Sequence, residues 1–199
     1  MDVEQRERQD APIGDFVPGL GAISVLRACA DLLPQEDFLY FGDSANAPYG
    51  ERSLEEVRAL SMAAADRLLK QGVKALVVAC NTATSSAIVL LRQTHPELPI
   101  IGIEPAVKPA AQGGSGSGVL VMATPLAIRE DKYQKLGASF CDLADVISLP
   151  CPGLAERIEQ GHFEDETLDA YLQDLFRPYR DRDVEYIVLG CTHYPFIRR

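Results

Sequence analysis

The sequence contains no cluster of basic side chains. Its 199 residues include 29 acidic and 19 basic side chains, for a formal net charge of -10 at pH 7. Proteins that bind nucleic acid or membrane surfaces broadly need a positive patch, so this charge argues against both partner classes. An anionic small molecule is still compatible with it, because the free N–H groups at a helix start can hold a carboxylate even on an acidic protein.

The cysteines lack the spacing of a structural metal site. They stand at positions 29, 80, 141, 151 and 191, without a C-x-x-C pair and without histidines at zinc-site spacing. An odd number of separated cysteines is typical of reduced thiols. We therefore expect free thiols and no metal.

Targeting and membrane-spanning segments are also missing. Residues 1–11 are polar and charged, unlike a signal peptide or a transit peptide. No apolar run approaches the length that crosses a bilayer. The sequence therefore predicts a cytoplasmic protein in which residues 1–12 form a disordered extension.

What the chain does have is a regular alternation of strands and helices. Short apolar runs predict strands at 13–17, 37–41, 73–79, 99–103, 118–122, 145–149 and 184–189. Helical periodicity predicts helices from about 22 to 33 and at 52–71, 84–94, 125–136, 153–160 and 164–176. This alternation predicts an α/β fold of two similar doubly wound domains with largely parallel sheets and an active site in the cleft between them.

The two domains are expected over residues 13–108 and 109–199. The stretch QGGSGSG at 112–118 is the low-complexity segment near that boundary. Its composition is typical either of a hinge between domains or of a loose surface loop.

Two of the predicted strands end in a cysteine that is followed by polar residues. They lead into ACNTAT at 79–84 and LGCTHYP at 189–195. The carboxyl ends of parallel strands face the crevice in which open α/β sheets bind ligands. A helix that begins just after Cys80 or Cys191 would favour a nearby anion and would lower the pKa of the thiol. Alternatively, each cysteine is simply a small buried apolar residue.

Four motifs in order resemble glutamate racemase, of the aspartate/glutamate racemase superfamily. They are YFGDSANAPYG at 40–50, ACNTAT at 79–84, IGIEPAVKPA at 101–110 and LGCTHYP at 189–195, and the similarity runs from about Ile13 to Ile197. The resemblance implies a two-base racemisation of L-glutamate to D-glutamate for peptidoglycan synthesis, without a cofactor. It also implies a homodimer.

The resemblance assigns roles to individual residues. Cys80 and Cys191 would move the α-proton on opposite faces of glutamate, which requires one thiolate and one thiol at a time. Glu159 and His193 would assist Cys191, although a surface carboxylate and a turn histidine are the alternatives. The implied substrate-binding residues carry carboxylate, hydroxyl, amide or backbone N–H groups: Asp43, Ser44, Tyr49, Gly50, Asn81, Thr82 and Thr192.

The chain departs from the family pattern in three places. The family's first strand usually ends in D-S-G, whose Asp assists the first cysteine and whose Ser contacts substrate, whereas this chain has Val17 and Pro18 before Gly19. Asp15 lies on the same strand face but about 6.6 Å away by the strand rise. A family threonine is replaced by Ala127. Family members also continue beyond LGCTHYP to complete the first domain, so we expect uncovered apolar surface.

These departures support an alternative function. The chain would then be a non-catalytic carboxylate-binding or interaction relative, or a truncated product, that keeps the thiols without the chemistry. Among enzymes, aspartate racemase is the second candidate, because a substrate shorter by one methylene is selected by pocket length.

Overall fold

The structure is a computed structural model that describes residues 10–113 and 118–198. Two fully parallel sheets organise this part of the chain. The first sheet has the order β2-β1-β3-β4, with β1 (Ile13–Val17), β2 (Phe38–Gly42), β3 (Ala75–Val78) and β4 (Ile100–Gly102). The second has the order β6-β5-β7, with β5 (Gly118–Ala123), β6 (Asp145–Pro150) and β7 (Val184–Leu189). The predicted α/β class with parallel sheets is confirmed.

Helices follow most of the strands. They are α1 (Ile23–Leu32), α2 (Leu54–Leu69), α3 (Asn81–Thr94), α4 (Val107–Gly113), α5 (Pro125–Arg129), α6 (Asp131–Ala138), α7 (Leu154–Glu159) and α8 (Glu166–Phe176). Short 3-10 turns occupy Leu20–Ala22, Tyr49–Glu51, Arg177–Tyr179 and Tyr194–Ile197. Below, β1–β4 with α1–α3 are called the first lobe, and β5–β7 with α4–α8 the second lobe. Within the described residues, no helix is long and apolar enough to span a membrane.

Three helix predictions were wrong in detail. Helix α3 begins at Asn81 rather than at residue 84, because the side chain of Cys80 caps it. The helix predicted over 125–136 is split into α5 and α6 by an extended residue, Glu130. Helix α4 was not predicted, although Pro109 is compatible with it because the first turn of a helix needs no N–H donor.

Each lobe has its own apolar core. Phe16, Leu76 and Ile88 lie in the core of the first lobe. The second sheet is covered on both faces, with Leu120 and Ile158 in one buried cluster and Val107 with Val121 in another. The boundary at residue 108 stays a prediction, as does the extension over 1–12, of which residues 1–9 lie outside the described residues. Residues 114–117 of the low-complexity stretch lie outside them too.

Asp15 is a polar exception in the first core. It lies in the middle of β1, is fully buried, and neither of its carboxylate oxygens has a hydrogen-bond partner among the described residues. Burial raises its pKa to about 7. Burial also raises the pKa values of Cys29 on α1 and Tyr40 on β2, and the nearby Asp15 carboxylate adds to both shifts. A carboxyl group in this position favours its neutral form.

Replacing Asp15 by asparagine is expected to stabilise the protein above pH 7 and to change little near pH 4. The folded chain holds this proton up to a pKa of about 7, whereas an unfolded chain releases it near pH 4. The free energy of unfolding therefore falls between about pH 4 and pH 7 and stays lower above that range, by roughly 4 kcal/mol. Thermal unfolding measures the effect, and at pH 8 we expect Asp15→Asn to melt about 5 °C or more above the unchanged chain.

Asp37→Asn is the matched control for this prediction, because Asp37 precedes β2 and is exposed. We expect removal of this exposed side chain to leave the pH dependence of melting unchanged. If Asp15→Asn melts with the same pH dependence as this control, Asp15 is not the group that holds the proton.

Candidate active site

Cys80 lies where β3 turns into α3. It is the N-terminal cap of the helix, it is only 7% exposed, and its Sγ accepts a hydrogen bond from the N–H of Ala83 at 3.4 Å. The sequence placed this cysteine at a strand end and at a helix start, and both features are present. The thiol is therefore held at the carboxyl edge of the first sheet by backbone geometry, with free N–H groups around it.

The expected fall in the pKa of Cys80 is wrong for this structure. Burial raises the pKa of the thiol, although the N–H groups of Ala83 and Thr82 and the Thr82 hydroxyl oppose the shift. Desolvation outweighs the stabilisation that a helix start gives to a thiolate. Cys80 is consequently protonated when nothing else acts on it.

Cys191 is the end of a chain of three polar groups in the second lobe. Its Sγ lies 3.5 Å from Nδ1 of His193, and Nε2 of the same ring is bonded to Oε1 of Glu159. A carboxylate can only accept, so Nε2 carries the proton and Nδ1 is an acceptor that faces the thiol. The residues come from the end of α7 and from the turn after β7, which are 34 positions apart in the sequence. The three groups form a thiol, a base and a group that orients the base.

Electrostatic repulsion couples Cys191 to Cys80. Burial raises the pKa of Cys191 strongly, the N–H of His193 opposes the shift, and negative charge on Cys80, Cys151 and Glu159 adds to it. A thiolate at Cys80 therefore makes a second thiolate at Cys191 less favourable. Two groups that interact in this way lose their protons one after the other.

Two of the predicted binding residues of the first lobe, Asp43 and Tyr49, are hydrogen-bonded to each other. Asp43 accepts hydrogen bonds from Asn46 at 2.9 Å and from the hydroxyl of Tyr49 at 2.7 Å, so Tyr49 holds the carboxylate in place. Tyr49 is 1% exposed, and Cys80 is among the groups that raise its pKa, after burial and Asp43. Ser44 is exposed in the loop. Tyr49 thus lies close enough to Cys80 for a charge on the thiol to affect it.

Asn81, Thr82 and Thr192 are buried beside the two cysteines. Oδ1 of Asn81 has no hydrogen-bond partner among the described residues. The hydroxyl of Thr82 is 2.9 Å from that of Thr124, which also caps α5 by accepting from the N–H of Ala127 at 3.2 Å. The Thr82–Thr124 bond joins the first lobe to the second. A buried amide oxygen without a partner is available to a donor that enters the cleft.

Sequence reasoning missed several contacts between the lobes, and three of them involve Thr124 or the loop after β2. The first involves Thr124. Its only signal in the sequence is its position before Pro125 at a strand end, which is a helix-start pattern. Gly50 is the second, since a side chain there would overlap Thr124. In the third, Glu51 accepts a hydrogen bond from the N–H of Gly153 at 2.9 Å. These contacts bring the loop after β2 against the second lobe.

The end of β1 carries no polar side chain. Val17 is completely buried and Pro18 follows it, so neither residue offers a carboxylate or a hydroxyl. Among the described residues, the groups that shift the pKa of Cys80 include no carboxylate. Among the described residues, the two thiols are therefore unequal, because an imidazole and a carboxylate stand behind Cys191 and no such pair stands behind Cys80. No cluster of His, Cys, Asp and Glu in the described residues could hold a metal ion.

Comparison with known proteins gives consistent matches over most of the chain. A family model described as Asp/Glu/hydantoin racemase matches residues 22–199. A glutamate racemase of Clostridium perfringens (strain SM101 / Type A) is 47% identical over 194 residues, which cover 98% of this chain and 75% of that protein.

Solved structures agree with the sequence matches. The crystal structure of glutamate racemase from Francisella tularensis in complex with D-glutamate superposes with a TM-score of 0.81 at 30% identity, covering 94% of this chain and 71% of that one. The glutamate racemase of Escherichia coli, in complex with L-glutamate and the activator UDP-MurNAc-ala, gives a TM-score of 0.78 at 31% identity, with 94% and 71% covered.

Proposed function

Because this chain belongs to the Asp/Glu/hydantoin racemase family, we propose that it interconverts L- and D-glutamate with Cys80 and Cys191 as two opposed bases. Glutamate is favoured over aspartate because the similar proteins named above are glutamate racemases. The supply of D-glutamate for peptidoglycan synthesis belongs to the same proposal and rests on the sequence resemblance.

The chain Cys191–His193–Glu159 is the observation that carries the proposal. A structural cysteine needs no base, whereas this thiol has the acceptor nitrogen of His193 at 3.5 Å and a carboxylate behind the ring. The arrangement allows His193 to take the thiol proton and Glu159 to stabilise the charged ring that results. Cys191 can therefore become a thiolate in spite of its burial.

The coupling of the two thiols suits a reaction that inverts one carbon. In one direction, the Cys80 thiolate takes the α-proton of glutamate while the Cys191 thiol gives a proton to the opposite face; the reverse direction exchanges these roles. Because a charge on Cys80 raises the pKa of Cys191, the state with one thiolate and one thiol is favoured over the state with two thiolates. That mixed state is the form that the reaction needs.

Substrate binding is assigned to the polar groups at the edge of the first sheet and to Thr192. Oδ1 of Asn81 is buried without a partner among the described residues, so it can accept from the substrate ammonium. Thr82 and Thr192 offer hydroxyls beside the two thiols, and the N–H groups at the start of α3 can hold a carboxylate. Asp43, Ser44, Tyr49 and Gly50 complete the proposed set in the loop after β2.

Proton exchange in heavy water tests this function. Purified protein is incubated with L-glutamate in D₂O without any cofactor, and the α-proton is followed by NMR together with optical rotation. With two opposed bases, the D-glutamate formed first carries deuterium while the remaining L-glutamate keeps its proton, because the acid that completes inversion has exchanged with solvent. Exchange that retains the L configuration would mean that a single base acts, and the two-base assignment would be wrong.

A non-catalytic carboxylate-binding relative is the second candidate, and Val17 is the observation that favours it. The resemblance implies an Asp at this position, where this chain has a buried valine, and the described residues that shift the pKa of Cys80 include no carboxylate. Titration calorimetry with both glutamate enantiomers separates the candidates. Binding of glutamate by folded protein that shows no exchange in D₂O would support the binding role.

A further inference from the structure

The turn at Gly19–Gly21 in the first lobe contacts the second thiol site in the second lobe. It follows β1 in the first lobe, with Gly19 at a φ of 82° and a 3-10 turn over Leu20–Ala22. The N–H of Leu20 donates a hydrogen bond of 2.7 Å to Oε1 of Glu159, which lies 139 residues further along the chain. The same oxygen accepts from Nε2 of His193. The turn thus supplies a donor to the carboxylate that orients the histidine.

Both glycines of the turn lie too close to this site for any side chain. A Cβ at Gly19 would overlap the carboxylate of Glu159, and one at Gly21 would overlap the hydroxyl of Thr192 and lie 2.9 Å from Nδ1 of His193. Close approach, and not only the positive φ of Gly19, therefore requires glycine here. The backbone of the first lobe forms one wall around the polar groups behind Cys191.

The Leu20 N–H has a chemical consequence for Cys191. A backbone donor to Oε1 fixes the orientation of the Glu159 carboxylate. A carboxylate held in this orientation accepts from Nε2–H of His193, so the other ring nitrogen, Nδ1, faces the Cys191 thiol as an acceptor. Cys80 is controlled by other groups, since the hydrogen bonds that act on its pKa come from Thr82 and Ala83. The turn therefore acts on one thiol and not on the other.

We infer that the Gly19–Gly21 turn is a positioning element of the Cys191 site, which acts through the Leu20 N–H on Glu159 and His193. The inference rests on the proposed racemase function for its catalytic meaning. The effect of the Leu20 N–H on the reactivity of the Cys191 thiol can be measured without racemase activity. Among the described residues, the titratable groups coupled to that thiol are Cys80, Cys151, Tyr194 and Glu159, together with the adjoining His193.

Leu20→Pro removes the donor without adding a side chain at either glycine. Proline is tolerated at the first position of a helical turn, which is where Leu20 stands. The matched control is Leu20→Ala, which keeps the N–H and shortens a side chain that is 39% exposed. The two variants, Leu20→Pro and Leu20→Ala, differ mainly in whether the hydrogen bond to Glu159 is present.

The rate of alkylation by iodoacetamide can be measured for each thiol separately. Mass spectrometry of peptides gives the modified fraction of each cysteine over a range of pH. In Leu20→Pro we expect alkylation of Cys191 near pH 8 to slow by about tenfold and its profile to move to higher pH, while Cys80 stays within about twofold. Leu20→Ala is expected to leave both profiles unchanged. An unchanged Cys191 profile in Leu20→Pro, or equal changes at Cys80 and Cys191, would overturn the inference.

A second pair of variants covers a failure of Leu20→Pro to fold. Gly19→Ala and Gly72→Ala each place a side chain at a positive φ, 82° and 77°, but no described atom lies within 4 Å of a Cβ at Gly72. Gly19→Ala is expected to slow Cys191 alkylation by more than tenfold and Gly72→Ala to leave it unchanged, with circular dichroism reporting the folded fraction of each. Equal losses in the two variants would overturn the inference.

Racemase activity of the same variants separates this inference from the proposed function. In an active protein, Leu20→Pro is expected to lower kcat by about tenfold with little change in KM, because the turn affects a proton transfer. If the unchanged protein shows no racemisation but the Cys191 profile still moves in Leu20→Pro, the proposed function fails and the positioning role stands. If racemisation is present and the profile does not move, the positioning role fails alone.

Discussion

Replacing Cys80 or Cys191 by serine is expected to lower racemisation of both glutamate enantiomers by about 10⁴-fold or more. A serine hydroxyl is a much weaker acid than a thiol, so it neither holds the negative charge of the base nor returns a proton at neutral pH. Each direction needs one cysteine as base and the other as acid, so a loss on either side stops both directions. Polarimetry with each enantiomer measures the rates, and calorimetry is expected to find glutamate binding within a few-fold of the unchanged protein.

Cys151→Ser is the matched control for these two variants. Cys151 is as buried as the two proposed bases, and its charge also acts on Cys191, but its Sγ donates to the backbone oxygen of Leu149 at 3.3 Å. A serine hydroxyl can make the same bond, so we expect activity within about tenfold of the unchanged protein. Full turnover in Cys80→Ser or Cys191→Ser would contradict the assignment of the bases.

Exchanging the residues at positions 15 and 17, by Asp15→Val together with Val17→Asp, is expected to raise racemisation by about 100-fold or more. The resemblance implies an Asp at the end of the first strand that assists the first cysteine. Phe16 pairs with Val78, so position 17 lies at the sheet edge next to the residues that lead to Cys80. A carboxylate there can accept the proton of the thiol, which Val17 cannot. Initial rates in both directions measure the gain.

The single variant Asp15→Val separates chemistry from stability in this experiment. It removes the buried carboxyl that has no partner among the described residues and is expected to raise the melting temperature at pH 8 without raising the rate. The double variant is expected to gain in rate, whereas the new carboxyl at the fully buried position 17 offsets the gain in melting temperature. If the single variant gains the same rate as the double, the missing carboxylate at position 17 is not what limits the enzyme.

The family and the fold could be predicted because their signals are local. Apolar runs, the Ser53–Glu56 capping box and the two cysteine motifs are each contained in a few adjacent residues, and the family resemblance and the parallel α/β class are confirmed. The start of α3 was misplaced because the residues after Cys80 are poor helix formers, and a cysteine is not a usual cap. The break at Glu130 has no glycine or proline to mark it.

The site was harder to predict because its decisive contacts are distant in the sequence and partly come from the backbone. Every residue except proline has an N–H, so nothing in the sequence marks the one of Leu20 as the partner of Glu159. The pKa of Cys80 depends on the balance between burial and helix-start N–H groups, which no motif gives. The roles of the site residues and the expected homodimer stay predictions.

Because Cys80 and Cys191 are electrostatically coupled, the protonation state of the proposed enzyme after a turnover would depend on which enantiomer it has just converted. Each turnover leaves one thiol with an added proton and the other without its proton. An enzyme molecule that has just released D-glutamate therefore has the protonation state that converts D-glutamate, and not the one that converts L-glutamate. It must reset through solvent before it can repeat the same direction. Glu159 is 18% exposed and contacts the His193 ring, which provides a path to water on the Cys191 side. At high substrate concentration, this reset would limit the rate in place of the chemical step.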